Sequence, residues 1–572
     1  TFTNGETVKV GATVIGVKET LTVALTVKMV AQFTNYAADI YRTDIQAVPG
    51  SGAVRGVYLF NNILYAFRNN AGGTAVDMYQ SSASGWVQVV FEYEISFSNA
   101  NTSVEDGDTL TQGGVTATIR RVVVQTGTLA SGVNTGRLII SVPAGGNFGA
   151  GAATSTGAGA LTLSAIQTAI TLLPDGKFEF DKANIFGQLG GMRLYGCDGV
   201  NRMFEFDGTY FVPIATGTTS DSPKHLVVFK NHLMCQIQST NISSAINDPS
   251  NWTTTAGASY KALGDTLTGY AIQPGSATAG TMTIFGRNTV FMLYGTSSAD
   301  WQYVTYADGV GALDYTVQQM AQTFFLDDRG LTSLQTSQVY GNFDQSTLTN
   351  NIKTFINSKR TAVAYSSVSR ERSQYRLFFN DGHALYATIV NGEYLGGMQI
   401  YFPNPAYCAC NSELTTGEEV LFIGADTGGY VYQLDKGSSF DGEVITAYLR
   451  FNWNTCDSPR VLKRWRKGSI EMQGIAYTEI SFNYSLAYGS VEEIQPTSLC
   501  YTSNFSASTW DDGATVLDGY FFWDGRTLSP SEVEMVGTSE NVQIVISSAT
   551  DYIKPYTINS IIIHYTPRRG VR

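Results

Sequence analysis

Four histidines in 572 residues leave few places for imidazole chemistry. His225 and His232 stand seven apart across a strand-turn-strand segment, His383 falls in a turn, and His564 lies in a terminal strand-like run. None has Cys, Asp or Glu at metal-ligand spacing. Of six cysteines (197, 235, 408, 410, 456 and 500), only Cys408 and Cys410 are near neighbours. One C-x-C without a second pair is a poor metal motif, so the cysteines read as buried, reduced thiols of a protein assembled in a cytoplasm. Asp327-Asp328 is a carboxylate pair of the kind that glycoside hydrolysis uses. Adjacent strand residues point to opposite faces, however, and D-D-R-G is turn chemistry. Asp426, Gly428 and Gly429 lack the ligand series of a calcium loop and read as a hairpin turn. There is no G-x-S-x-G, no P-loop and no dinucleotide fingerprint. These residues nominate no catalytic, cofactor-binding or metal site, and the chain reads as a non-enzyme without a cofactor.

Charge narrows the partners. The formal net charge is −12, a surface that repels nucleic acid but does not prevent DNA from sliding past. The basic cluster is Lys463-Arg464-Trp465-Arg466-Lys467. It reads either as a phosphate-holding patch with a stacking Trp465 or as a contact with acidic residues of a neighbouring subunit. A single short cluster without a second stripe favours the subunit contact.

The elements that must position these residues are strands. Composition is 43% hydrophobic, 15% charged and 12% aromatic, with 58 glycines, which points to an all-β chain rich in turns. The length implies two to four domains. No window approaches the length and apolarity of a membrane-spanning helix. Residues 1–53 are Thr/Val-rich and alternating, and predict strands that join the C-terminal domain or a partner. From Val54, short alternating strands meet at turns such as Asn61-Asn62, Lys230-Asn231 and Asp381-Gly382. The units recur at roughly 40 to 50 residues, the spacing of propeller blades. A β-propeller is therefore expected over 54–90 and 174–440. The Gly/Ala/Thr/Val-rich stretch 91–173 interrupts it as a small β-domain of four or five strands. The ends of that insertion should lie close together, so that deleting 93–171 would leave a folded protein. Residues 441–572 change style and predict a C-terminal β-domain.

One short helix is expected among the strands, over Thr347 to Ile356, capped by Ser346 or Thr347. Leu348, Ile352, Phe355 and Ile356 lie on one face at helical spacing. The helix either covers a blade edge or docks at a subunit boundary. In the second case Ile352, Lys353, Phe355, Lys359 and Arg360 join Lys463, Arg464, Trp465, Arg466 and Lys467 as candidate subunit contacts. The loop Asn247 to Trp252 is the candidate exposed contact of a receptor-binding alternative.

Three stretches carry a family resemblance: GAVRGVYLFNNILYAFRNNAGGTAVDMYQSSASGW from Gly52, FFLDDRGLTSLQTSQVYGNFDQSTLTNNIKTFI from Phe324, and GADTGGYVYQLDKGSSFDGEVITAYLRF from Gly424. The inserted GDTLTQGGVTATIRRVVVQTGTLASG followed by GRLIISVPAGGNFGAGAAT looks like a β-domain inserted in phage tail proteins. Over most of 54–450 the chain resembles the tail nozzle proteins (tail tubular protein B, packaged-DNA-stabilisation type) of short-tailed, podovirus-like bacteriophages. The resemblance implies a propeller with appended β-domains, forming a homo-hexameric ring below the head-tail adaptor in the virion tail. It implies a central channel for double-stranded DNA, tail fibres or spikes as further partners, and no active site. The insertion departs from some family members. A receptor-binding or glycan-degrading tail protein on a propeller scaffold is the alternative.

Overall fold

The computed structural model describes residues 7–10, 13–17, 27–188, 190–273, 281–320, 322–334, 347–437, 439–474, 477–491, 495–496, 499–504, 528–549 and 556–570. The chain divides into two compact units, Gln46–Asp435 on one hand and Thr1–Ile45 with Lys436–Arg572 on the other.

The first unit is a β-propeller of seven small antiparallel sheets, each made from one continuous stretch of chain. In order they span 51–88, 179–213, 226–262, 267–308, 318–333, 363–401 and 406–433, with four strands each except the three-stranded fifth and seventh. They are called blades 1 to 7 below. Some hairpins turn on two-residue loops in which both residues take positive φ, which suits the strand twist. Asn61 and Asn62 have φ of 50° and 64°, Lys230 and Asn231 of 47° and 59°. The first strands of blades 2 to 7 pack each on the next, and that of blade 7 packs on that of blade 1. Between blades 1 and 2 the approach is so close that a Cβ on Gly56 would lie 2.6 Å from the Phe178 Cβ.

The circle closes without strand exchange. Among the described residues, blade 7 contains only its own three strands. The seam to blade 1 is held by Val48 N–H donating to Gly429 O at 2.9 Å and by Cys408 Sγ on Val54 O at 3.3 Å. Arg55 Nη1 adds a 2.9 Å bond to the Tyr407 hydroxyl. Arg68 reaches Gly52 O at 3.0 Å and also donates to Val48 O.

The insertion between blades 1 and 2 holds more strands than its sequence announces: six long ones and the short Thr168–Ala169. Strand Tyr93–Ser98 pairs with Val133–Ile140 on one side and with Gly159–Leu163 on the other, so the sheet closes into a barrel. Ile95, Phe97, Ile119, Leu138 and Leu161 fill its interior. Its ends do meet, with Ile170 N–H bonded to Glu92 O at 3.0 Å. It is nonetheless not an independent ornament. Val123, Ile139, Ile170 and Leu172 share a core with Phe204, Phe206 and Phe211 of blade 2. Glu94 binds both Arg137 (2.7 Å) and Arg202 (2.5 Å) across the joint. Deleting 93–171 would take Val123, Ile139 and Ile170 from the core they share with blade 2.

The helix of the central stretch starts later than its spacing predicts. Thr347 is still bridged to Thr332, and Leu348 N–H bonds Leu331 O at 2.9 Å, so the backbone stays extended there. A 3₁₀ turn, Asn350–Ile352, leads into an α-helix at Lys353–Lys359. Ser346 lies outside the described residues, as does the 335–346 part of that stretch. The helix packs beside Gly330–Ser333, the outer strand of three-stranded blade 5, and sinks Ile356 into the core of blades 5 and 6.

In the second unit, two sheets built on strands Val461–Gly474 and Tyr477–Leu486 share a core of Trp465, Ile470, Phe482 and Ile544. The N-terminal residues are not all strand. Thr7–Val10 pairs with Thr13–Val17, but Val27–Arg42 is an α-helix. Period-two alternation stops at Val27, after which Val30, Phe33, Ala37 and Ile40 recur three or four apart. Residues 51–53 belong to blade 1.

Candidate functional site

Every blade sends a polar or aromatic side chain from its first strand, or from the residues just before it, to the propeller axis. Blade 1 supplies Arg55, blade 2 Lys177 and Glu179, and blade 3 Lys224 and His225. Blade 4 supplies Tyr270, blade 5 Asp314 and Tyr315, blade 6 Tyr365 and blade 7 Tyr407.

His225 is the centre of this cluster. Its side chain is 1% exposed, Nδ1 lies 2.5 Å from Glu179 and Nε2 lies 3.2 Å from Asp314. Burial pushes the imidazole pKa down, but the two carboxylates outweigh it and bring it up to about 9. Burial would raise Asp314; the bonds from His225 and Lys224, the latter at 2.5 Å, hold it below its usual range. At neutral pH the group is an imidazolium between carboxylates, with neither ring nitrogen free to act as a base.

Lys177 occupies an aromatic cage. Its ammonium lies 4.6 Å from the Tyr315 ring centre, 5.6 Å from Tyr365 and 4.7 Å from Tyr407, an arrangement that attracts a cation to the ring faces. It also donates to Ala364 O. Burial pulls its pKa down to about 8. What space remains beside Glu179, His225, Tyr270 and Tyr365 is a cavity of about 40 Å³. That is room for two or three waters at roughly 15 Å³ each, against about 300 Å³ or more for a small-molecule site. Among the described residues, side chains of all seven blades fill this part of the axis.

The residues singled out in the sequence are scattered relative to this cluster. Only His225 belongs to it. His232 is buried, bonded through Nδ1 to Ser244 O at 2.7 Å. Cys408 and Cys410 are buried at the blade 1–7 seam, and burial raises their thiols to about 12 and 11. Among the described residues no group of three His, Cys, Asp or Glu is placed to hold a metal. Asp327 and Asp328 flank a tight hairpin. Asp327 is buried, while Asp328 faces out and binds Arg287 at 2.5 Å.

Of the helix residues, Ile352 and Phe355 are partly buried against the core of blades 5 and 6, with Phe355 edge-on to Phe379 at 5.9 Å. Lys359 pairs with Asp381 within the chain, and Arg360 binds Asp328 O at 2.9 Å. Lys353 opens the α-helix. The basic cluster divides by face. Lys463 and Trp465 point inward, which removes them as surface contacts. Lys463 Nζ is held by Ser458 O, Val461 O and Glu540 O, and Trp465 Nε1 by Ser539 Oγ at 2.8 Å. Arg464 and Arg466 face solvent, and Lys467 binds Glu532 at 2.5 Å. A β-bulge between Trp465 and Lys467 shifts the alternation, so that Gly468, Ile470 and Met472 face inward with Trp465. In the loop Asn247 to Trp252, the receptor-contact alternative, Asn247 is exposed while Trp252 is buried, its indole bonded to Pro249 O at 3.0 Å.

Sequence reasoning missed Lys177, Glu179 and Asp314. Lys177 and Asp314 stand just before the first strands of blades 2 and 5 and Glu179 at the start of that of blade 2, so no local residue pattern marks them.

No family model and no curated protein matches the chain. Solved structures align at low scores. BBS1N in complex with ARL6DN gives a TM-score of 0.30 at 11% identity, covering 47% of this chain and 86% of that one. The β-propeller domain of Myceliophteria thermophila Cps50 (Swd1) gives 0.29 at 7%, covering 48% and 91%. Chaetomium thermophilum Raptor gives 0.35 at 6%, covering 69% and 29%. The seven sheets themselves define the fold.

Proposed function

We propose that this chain is a structural tail protein of a short-tailed bacteriophage, a nozzle whose copies form a homo-hexameric ring below the head-tail adaptor and conduct the genome. It is assembled in the host cytoplasm, sits in the virion tail beside fibres or spikes, and performs no catalysis. The observation that carries the reading is the filled part of the axis. The best-formed polar cluster is spent on holding seven blades together, with His225 and its carboxylates satisfying one another and no room for a substrate. The family resemblance supplies the specific role, and DNA then passes between copies along the ring axis.

Averaged electron micrographs of the purified protein and of intact tails test this. Six-fold rings that match a layer of the tail are expected. Single copies at all concentrations, with no matching layer, would sink the nozzle reading. Incubation with host surface polysaccharide tests the enzymatic rival, and reproducible release of reducing ends would overturn the conduit.

A further inference from the structure

The arginines of the propeller unit repeatedly find carboxylates within the chain: Arg55 binds Asp175, Arg202 binds Glu94, and Arg287 binds Asp328. That is the expected state in a unit with 29 Asp and Glu against 20 Lys and Arg. A cluster in the other unit departs from it. At one end of the sheet formed by Val461–Gly474 and Tyr556–Gly570, the register sets Arg464 opposite Thr566 and Val461 opposite Gly570. Arg460, Arg464, Arg466 and Arg568 are therefore gathered there, all exposed. None of the four has a carboxylate within 4.0 Å among the described residues, and Arg466 is steadied by the Thr566 hydroxyl at 3.2 Å. Planar guanidinium groups at fixed positions on a rigid strand pair suit bidentate binding of carboxylate or phosphate.

We propose that this arginine end docks on the carboxylate-rich propeller of a second copy of the chain. Charge complementarity selects the occupant. The unpaired guanidinium groups and the acid excess lie in different units of the same molecule, and a ring built of heterologous contacts needs two such unlike surfaces. Duplex DNA is the weaker candidate. Four arginines on a flat strand pair, with Glu532 on the neighbouring strand, neutralise few phosphates, and the rest of the chain repels the duplex. The inference rests on the ring reading.

The test uses the full-length chain in two forms, isotope-labelled and unlabelled, with Arg464→Lys in one so that a carbodiimide can join its amine to a carboxylate in contact. Mixing should give amide links from position 464 to acidic residues of 46–435 in the other isotopic form, several-fold above a high-salt control. Links only within one copy, or none, overturn the proposal. If six-fold rings still form without those links, the docking surface is wrong while the ring reading stands; single copies without links remove both. Arg464→Glu with Arg466→Glu should keep the native circular dichroism and lose the assembly, and Arg568→Glu serves if the double variant misfolds. A labelled duplex bound by the wild type and released by the variant, with assembly unchanged, would assign the surface to phosphate and also overturn the proposal.

Discussion

His225 Nδ1 lies 2.5 Å from the Glu179 carboxylate, a contact that ties blade 3 to blade 2 at the axis, and its Nε2 carries the tie on to Asp314. Because the folded imidazole titrates near 9 and the unfolded one near 6.5, native protein binds the extra proton between those values. The stability this contributes is complete below about pH 6.5 and lost as pH rises through 9, on the order of 3 kcal/mol in all. Denaturant unfolding from pH 6 to 9 should show the fall, and His225→Gln should flatten it. Equal slopes in both proteins would show that the imidazolium is not held as described.

Lys177 acts in the opposite sense. Its folded pKa of about 8 lies below the usual lysine value, so folding penalises the charged form until pH exceeds that range. Lys177→Met keeps the cage filled without a buried charge and should unfold at the same denaturant concentration as the wild type or a higher one. It should also remove a rise in stability between about pH 8 and 10.

The joint between barrel and propeller predicts a cost for Phe211. Its ring lies 4.5 Å from Phe91 and 4.4 Å from Phe204. Phe211→Ala should cost about 3–5 kcal/mol, read from urea unfolding. Removing 93–171 should give aggregated protein that binds a hydrophobic dye.

Within the second unit, Trp465→Ala should cost about 3–5 kcal/mol and Arg464→Ala within about 0.5 kcal/mol, although the residues are adjacent. Comparable losses by thermal melting would contradict the inward and outward assignments.

Ile352→Asp distinguishes core from contact. With Ile352 packed beside Ile356 on the blade 5–6 core, the carboxylate should destabilise the isolated chain by about 2 kcal/mol or more, read as a lowered melting temperature. A normal melting temperature with failed assembly would restore the subunit-boundary reading.

How much of this was legible in sequence depends on how local each feature is. The loops at Asn61-Asn62 and Lys230-Asn231 are set by a few adjacent residues, and the blades between such loops follow from period-two apolarity. Trp465 could not be placed by alternation, because the bulge that turns it inward leaves no mark in residue type. The Val27–Arg42 helix was hidden by the alternating Thr and Val that precede it. The axial cluster was beyond reach for a different reason. His225, Glu179 and Asp314 come from three blades, and only closure of the circle brings them together.

That closure has a mechanical consequence. The chain enters blade 1 at its seam with blade 7, which is held by the bonds from Val48 to Gly429 and from Cys408 to Val54 and by a shared core of Val54, Val57, Cys408 and Cys410, with no shared strand. Tension arriving through the connection at 45–46 meets a clasp instead of a woven edge. The seam is where a pull through 45–46 arrives first, and a cysteine pair across it would stiffen that point of entry while leaving every other joint as it is.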